Sequence, residues 1–170
     1  MDLAQMAGWL AAAAAIIAML QKSDLRLKQC LIIHTVLYGI HFALLGLPTA
    51  VVSCVIALAR ITLSIYTRSL LCAAALIIIS AAMALALSRS TVDILPLAAS
   101  VVLTLSLFRF DGIKLRLGLL AGSILWLIHN VYVQSWGGFC LETCFCLSTL
   151  WGLWTMVREQ NEKPKKEICL

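Results

Sequence analysis

"LRLKQCLIIHTVLYGIH" (Leu25–His41) and "IKLRLGLLAGSILWLIH" (Ile113–His129) lie 88 positions apart and match without a gap. In this register Arg26 meets Lys114, Lys28 meets Arg116, Thr35 meets Ser123, Tyr38 meets Trp126 and His41 meets His129. Apolar chains match one another cheaply. Two basic residues, one hydroxyl, one aromatic and one histidine falling into a single register point instead to an internal duplication.

The surroundings of both stretches are hydrocarbon-like. The chain of 170 residues is 62% hydrophobic and only 12% charged, whereas a soluble domain is about half apolar and about a quarter charged. The apolar residues fall in blocks of roughly 17–20, enough for a helix rising about 1.5 Å per residue to cross about 30 Å of lipid. "LAAAAAIIAML" and "LLCAAALIIISAAMALAL" carry no polar face at period 3.6. This is the pattern of an all-α, polytopic membrane protein, because backbone groups in lipid must be satisfied within their own helix. Seven spans are expected: about Leu3–Leu20, Gln29–Gly46, Pro48–Tyr66, Ser69–Leu87, Ile94–Phe108, Leu115–Val133 and Trp136–Val157. Charged breaks ("QKSDLRLK", "FRFDGIKLR"), turn formers ("GLPT", "QSWGG") and the polar "SRSTVD" separate them. The first apolar run lacks a basic leader region and is read as the first span, not a cleaved signal.

Basic residues predict the orientation. With the N-terminus outside, Lys22, Arg26, Lys28, Arg60, Arg68, Arg109, Lys114, Arg116, Arg158, Lys163, Lys165 and Lys166 fall on the cytoplasmic side and Arg89 alone on the other. The net charge of +5 is thus a topology signal, and no nucleic-acid partner is implied. Residues 1–157 form one seven-helix domain in this reading, and 158–170 a mobile cytoplasmic tail. Three spans (about 3–66), a linker span (69–87) and three more (about 94–157) put both triplets in one orientation, a 3+1+3 plan. Parallel repeats about an axis along the membrane normal are a known transporter architecture, with the substrate site at their interface.

On that plan His41 and His129 face each other across the pseudo-axis, about 7 Å inside the exterior boundary. Tyr38 and Trp126 each precede a histidine by three residues and share its helical face. Asn130 and Glu142 have apolar repeat mates, Phe42 and Cys54, which is the asymmetry a site for an asymmetric solute needs. Tyr38, His41, Trp126, His129, Asn130 and Glu142 are therefore the candidate cavity residues. His34 adds a polar group to the His41 stripe, and its mate is Gly122. Pro96 is the candidate hinge, since proline removes a backbone hydrogen bond, and its mate is Gly8. Arg60 is expected to extend toward the cytoplasmic headgroups, the other reading being an inner gate or anion contact.

The stretches "GIHFALLG" (Gly39–Gly46), "TRSL" (Thr67–Leu70), "ILPL" (Ile94–Leu97), "IHN" (Ile128–Asn130), "GG" (Gly137–Gly138) and Glu142 resemble the YgjV family of bacterial inner membrane proteins, which is similar to the SWEET/PQ-loop transporters. The resemblance runs from Leu25 to Trp151. It implies a seven-helix protein of the bacterial inner membrane more than any one activity. The chain has no Pro-Gln dipeptide, and the first-helix proline of a SWEET-like triplet appears only as Pro96.

The expected function is small-solute transport, with the lipid bilayer and a small solute as partners, no cofactor, and either a monomer or a homo-oligomer. Polar residues that merely tie helices together would give a non-transporting scaffold or accessory protein instead. His41, His129 and Glu142 could alternatively ligate one metal for intramembrane hydrolysis, and "CLETCFC" with Cys140, Cys144 and Cys146 could hold a soft metal. Neither has ligand spacing of the H-x-x-x-H or H-E-x-x-H kind, no nucleophile elbow or phosphate loop is present, and no enzymatic activity is expected.

Overall fold

Alanine, leucine and isoleucine dominate the apolar blocks, and in lipid such blocks have no alternative to the helix. The computed structural model describes residues 3–87 and 91–167, and Arg89 and Cys169 lie outside them. Among the described residues there are seven α-helices and no strand: α1 (Leu3–Leu20), α2 (Asp24–Leu44), α3 (Pro48–Tyr66), α4 (Leu70–Leu87), α5 (Ile94–Arg109), α6 (Gly112–Tyr132) and α7 (Trp136–Glu167), with one 3-10 turn at Thr91–Asp93. Five of them, α1, α2, α3, α6 and α7, are long and apolar enough to cross a membrane, while α4 and α5 are apolar but shorter. The α1–α2, α3–α4 and α5–α6 connections and Glu159 of α7 share one side, where Gly112 N–H donates to Asp24, Arg68 pairs with Asp111 and Lys22 pairs with Glu159. We call this the basic end, and the side of the α2–α3 and α6–α7 connections the far end.

Neighbours in sequence pack together: α1 on α2, α2 on α3, α5 on α6, and α6 on α7. Across the middle of the chain, α1 meets α7 and α3 meets α5, while α4 rests mainly on α5. Small residues permit the tightest of these approaches. The stripe Ala4, Ala7, Ala11, Ala15 and Ala18 is the buried face of α1, while Trp9, Leu10 and Ile17 remain exposed to the surroundings. On α7, a Cβ at Gly152 would stand 2.6 Å from the Met19 carbonyl oxygen, and on α6 one at Gly118 would meet Ser106.

The two far-end turns are built alike. Leu45 N–H donates to His41 O, Gly46 N–H to Ala43 O and Leu47 N–H to Phe42 O; Val133 N–H donates to His129 O, Gln134 N–H to Val131 O and Ser135 N–H to Asn130 O. Each turn pivots on a left-handed residue, Gly46 at φ 68° and Gln134 at φ 56°. Gly46 adopts this without strain, and Gln134 against its side chain's preference.

Packing is uneven along the bundle. The buried apolar cluster joins Ala18, Met19, Leu27, Leu31, Ile61, Ala73, Leu76, Leu107, Phe108, Leu115 and Leu119, all near the basic end. Most buried residues of α2, α3 and α6 also lie in their basic-end halves, with Thr35 and Ser123 just past the middle, whereas α1 is buried along its length from Ala4 to Met19. Toward the far end the same helices are half-buried or exposed.

Three expectations need correction. Helices α2 and α6 begin at Asp24 and Gly112, not at about Gln29 and Leu115, because the basic residues expected to flank them are folded into their first turns. Helix α7 continues to Glu167, so much of the stretch expected as a mobile tail extends it. Pro96 stands in the first turn of α5, where backbone N–H groups have no intrahelical acceptor. It therefore breaks no ladder there, and the hydrogen-bond argument for a hinge does not apply.

Candidate functional site

The predicted residues fall into two polar groups in the less densely packed part of the bundle, and all six are half-buried. In the first, α2 lies antiparallel to the alanine face of α1. His41 Nδ1 donates to the Ala4 carbonyl (2.7 Å), and His34 Nδ1 donates to the Ala11 carbonyl (2.9 Å). A carbonyl oxygen only accepts, so Nδ1 carries the hydrogen in both rings and Nε2 of the neutral ring remains an acceptor. Tyr38 lies between the two rings, 5.4 Å from His34 and 5.9 Å from His41, the latter nearly parallel at 2°. Gly8 is the space that admits the His41 ring: a Cβ there would come within 3.1 Å of it. His41 thus engages its own half of the chain through α1.

The second group joins α6 and α7. Trp126 meets His129 edge-on at 5.6 Å between ring centroids. Ser123 Oγ donates to Glu142 Oε2 (2.6 Å), holding the carboxyl within the span. Asn130 lies over Gly138, where a Cβ would meet its Oδ1 at 2.5 Å. Together the two groups present imidazole, phenol, indole, amide and carboxyl groups, enough to hydrogen-bond and stack on a polar solute, and the only acid among them is Glu142. Among the described residues no group of three or more His, Cys, Asp or Glu side chains is placed to hold a metal ion.

The basic end holds charged residues whose place in the sequence signals only topology. Arg116 is fully buried and pairs with Asp24 Oδ1 (2.6 Å), while donating to the carbonyls of Gly112 (2.8 Å), Gln21 (2.6 Å) and Lys22 (3.0 Å). Asp24 Oδ2 accepts from Gly112 N–H (2.6 Å). Lys28 is also buried, and its Nζ donates to Ser64 O and Leu107 O, both at 2.9 Å. Three exposed ion pairs among the described residues lie outside these: Arg68 with both oxygens of Asp111 (2.8 Å), Lys22 with Glu159, and Arg158 with Glu162 (2.8 Å). A pocket of about 280 Å³ opens here, its polar wall formed by Asp24, Lys28, Ser64, Arg68 and Asp111. None of the six predicted cavity residues lines it.

Arg60 overturns its expected role. It does not extend to the headgroups but is buried, and its Nη1 donates across to α5, to Ser100 O (2.9 Å), Ser100 Oγ (3.0 Å) and Thr104 Oγ1 (3.2 Å). Ser100 and Thr104 had no signal of their own in the sequence, since hydroxyls in apolar helices commonly bond their own backbone, as Thr104 Oγ1 also does to Ser100 O (2.7 Å). Lys28 and Arg116 did carry a signal, their shared register, and were missed because a charge near a span end is ordinarily exposed.

Comparison with known proteins agrees with this architecture at a coarse level. No solved structure matches the chain. Residues 2–160 match the Imp-YgjV family model, described as a bacterial inner membrane protein. The chain is 31% identical over 146 residues to the inner membrane protein YgjV of Escherichia coli (strain K12), an alignment covering 82% of this chain and 80% of that protein. A helical bundle with membrane-length spans, a family match over nearly its whole length and a relative of this similarity lead to one assignment: the chain belongs to the YgjV family of bacterial inner membrane proteins.

Proposed function

We propose that the protein is a small-solute carrier of the inner membrane, built as two parallel three-helix repeats joined by α4. Several features support the repeat. Helices α2 and α6 have bounds offset by the same 88 positions as the sequence match, and so do three hydrogen bonds of each far-end turn; Trp136 N–H adds a fourth to Gln134 O, where its mate Pro48 has no N–H. Gln134 takes a left-handed conformation at the position that matches Gly46. A duplicated backbone explains why a glutamine accepts a glycine's geometry. Asp24 and Gly112, repeat mates themselves, are hydrogen-bonded to one another, as residues beside a two-fold axis would be. Lys28 and Arg116, also mates, each reach the end of the other repeat's first helix.

The observation that carries the carrier reading is the uneven packing. The basic end is tied shut by buried cations, ion pairs and the apolar cluster. Toward the far end the Tyr38–His41 and Trp126–Glu142 groups from the two repeats are half-buried. Ionisable groups are retained within a bilayer chiefly where they serve a solute or proton path. In this reading the basic end is cytoplasmic, both termini follow from that, and the structure is the form open to the exterior. Tyr38 and Trp126 stack on the solute, His41, His129 and Asn130 hydrogen-bond it, and Glu142 supplies charge or takes up a proton. Arg60 serves as the inner gate, strapping α3 to α5.

Uptake into proteoliposomes from a panel of labelled sugars, amino acids and carboxylates tests the proposal. Accumulation of at least one solute, abolished in His129→Ala, Asn130→Ala and Glu142→Gln proteins of unchanged thermal stability, is expected. Inert liposomes together with a stable co-purifying protein would assign the molecule to the scaffolds.

A further inference from the structure

Arg60 is used on only one side. Its three hydrogen bonds all leave from Nη1, and all end on α5. The Nε hydrogen and both Nη2 hydrogens have no acceptor among the described residues, and no carboxylate there lies within ion-pair distance. These nitrogens are not sealed inside protein either, in contrast to Arg116 Nε, which is. Yet the residue as a whole is only 9% exposed and stands six residues, about 9 Å, inside the end of its helix. A guanidinium is always charged, and a charge at this depth needs an opposite charge or a polar ligand.

The unused edge has a definite chemistry. Nε–H and one Nη2–H point in parallel and match the two oxygens of a carboxylate or phosphate, the strongest form of arginine recognition. The Nη1 edge is meanwhile fixed by Ser100 and Thr104, so the fork is held in place before a ligand arrives. Ser148, the repeat mate of Arg60, is an uncharged residue that donates to Cys144 O of its own helix, so the site exists once per chain. Ser64, one turn along the same face of α3, forms part of the basic-end pocket with Lys28 and Arg68. The seam between α3 and α5 therefore carries three cations in succession. The acids at its mouth, Asp24 and Asp111, are already paired with Arg116 and Arg68.

We propose that the free edge of Arg60, braced by Ser100 and Thr104, is a binding site for an oxyanion, a carboxylate or phosphate group. The group belongs either to a water-soluble solute or to the headgroup of an anionic lipid. Although Arg60 is also the inner gate in the transport reading, the site is tested independently of it, since binding is measured without any uptake.

The test is thermal stability of the purified protein in neutral detergent, titrated with inorganic phosphate, with acetate, or with phosphatidylglycerol, against chloride at equal ionic strength. A saturable rise in melting temperature with phosphate or acetate identifies a soluble oxyanion, and a rise with phosphatidylglycerol alone identifies the lipid. In either case Arg60→Gln weakens the apparent binding by about tenfold or more, the loss expected for charge-assisted hydrogen bonds, while Arg158→Gln leaves it unchanged. Absence of any saturable rise, or equal titrations of the wild type and Arg60→Gln, overturns the proposal. Should Arg60→Gln fail to fold, the wild type decides alone by phenylglyoxal labelling read by peptide mass spectrometry. Labelling of Arg60 that the effective anion suppresses supports the site, and labelling that is absent or indifferent to the anion refutes it.

Discussion

At the scale of single residues, the molecule places charge where a sequence reading puts only lipid and headgroups. Arg116 has no contact with the surroundings and is neutralised by Asp24 and three carbonyls. Removing one partner of such a pair leaves the other buried and uncompensated, at a cost of about 3–5 kcal/mol. Arg116→Met and Asp24→Ala proteins should both show sharply lowered resistance to unfolding in detergent, and the double variant should lose much less than the sum of the two. Additive losses would mean that the pair does not act as a unit. The histidines on α2 pose a gentler case. Interhelical polar contacts in membranes average about 0.6 kcal/mol and reach at most about 2, so His34→Phe should cost little stability by the same assay. His41→Phe is expected to be equally mild for folding but to impair uptake, which separates a solute contact from a helix tie.

At the scale of elements, most of the bundle was legible. The expected limits of the first and third spans coincide with α1 and α3, because a turn of charge or a Gly-Leu-Pro sequence ends each of them abruptly. The starts of α2 and α6 were not legible: "DLRLK" and "GIKLR" look like polar loops until Asp24, Lys28 and Arg116 are seen to satisfy one another and nearby carbonyls in three dimensions. The repeat register was readable from side chains, but the shared turn geometry at Gly46 and Gln134 was hidden, since glutamine gives no sign of a left-handed backbone. Helix contacts at glycine yield a steric prediction. Gly152→Val places carbon against the Met19 carbonyl and should force α1 from α7, with a loss of about 1–3 kcal/mol typical of overpacking. Gly137→Ala, with nothing within 4 Å of the added carbon, should be silent in the same thermal melts.

At the scale of the whole molecule, the candidate site was readable as residue types but only partly as an arrangement. His129 and Trp126 do meet, as do Tyr38 and His41, because spacing of three along a helix dictates it. That His41 turns to α1, and that Arg60 crosses to α5, depends on which helices become neighbours, and hydropathy does not encode this. The excess of basic residues at one end predicts that a fluorescent protein fused after Leu170 will mature and fluoresce in cells, as a cytoplasmic terminus allows; an inert fusion would reverse the orientation. The central claim is that the bundle is closed at its basic end and open to water from the other. Cysteine-free protein carrying Asn130→Cys or Ser106→Cys, treated in intact spheroplasts and in inverted vesicles with a membrane-impermeant maleimide, tests it most directly, since Ser106 is buried near the basic end and lies outside the pocket there. The account predicts rapid labelling of Asn130→Cys from the exterior and protection of Ser106→Cys from both sides; protection of Asn130→Cys from the exterior, or ready labelling of Ser106→Cys in inverted vesicles, would contradict it.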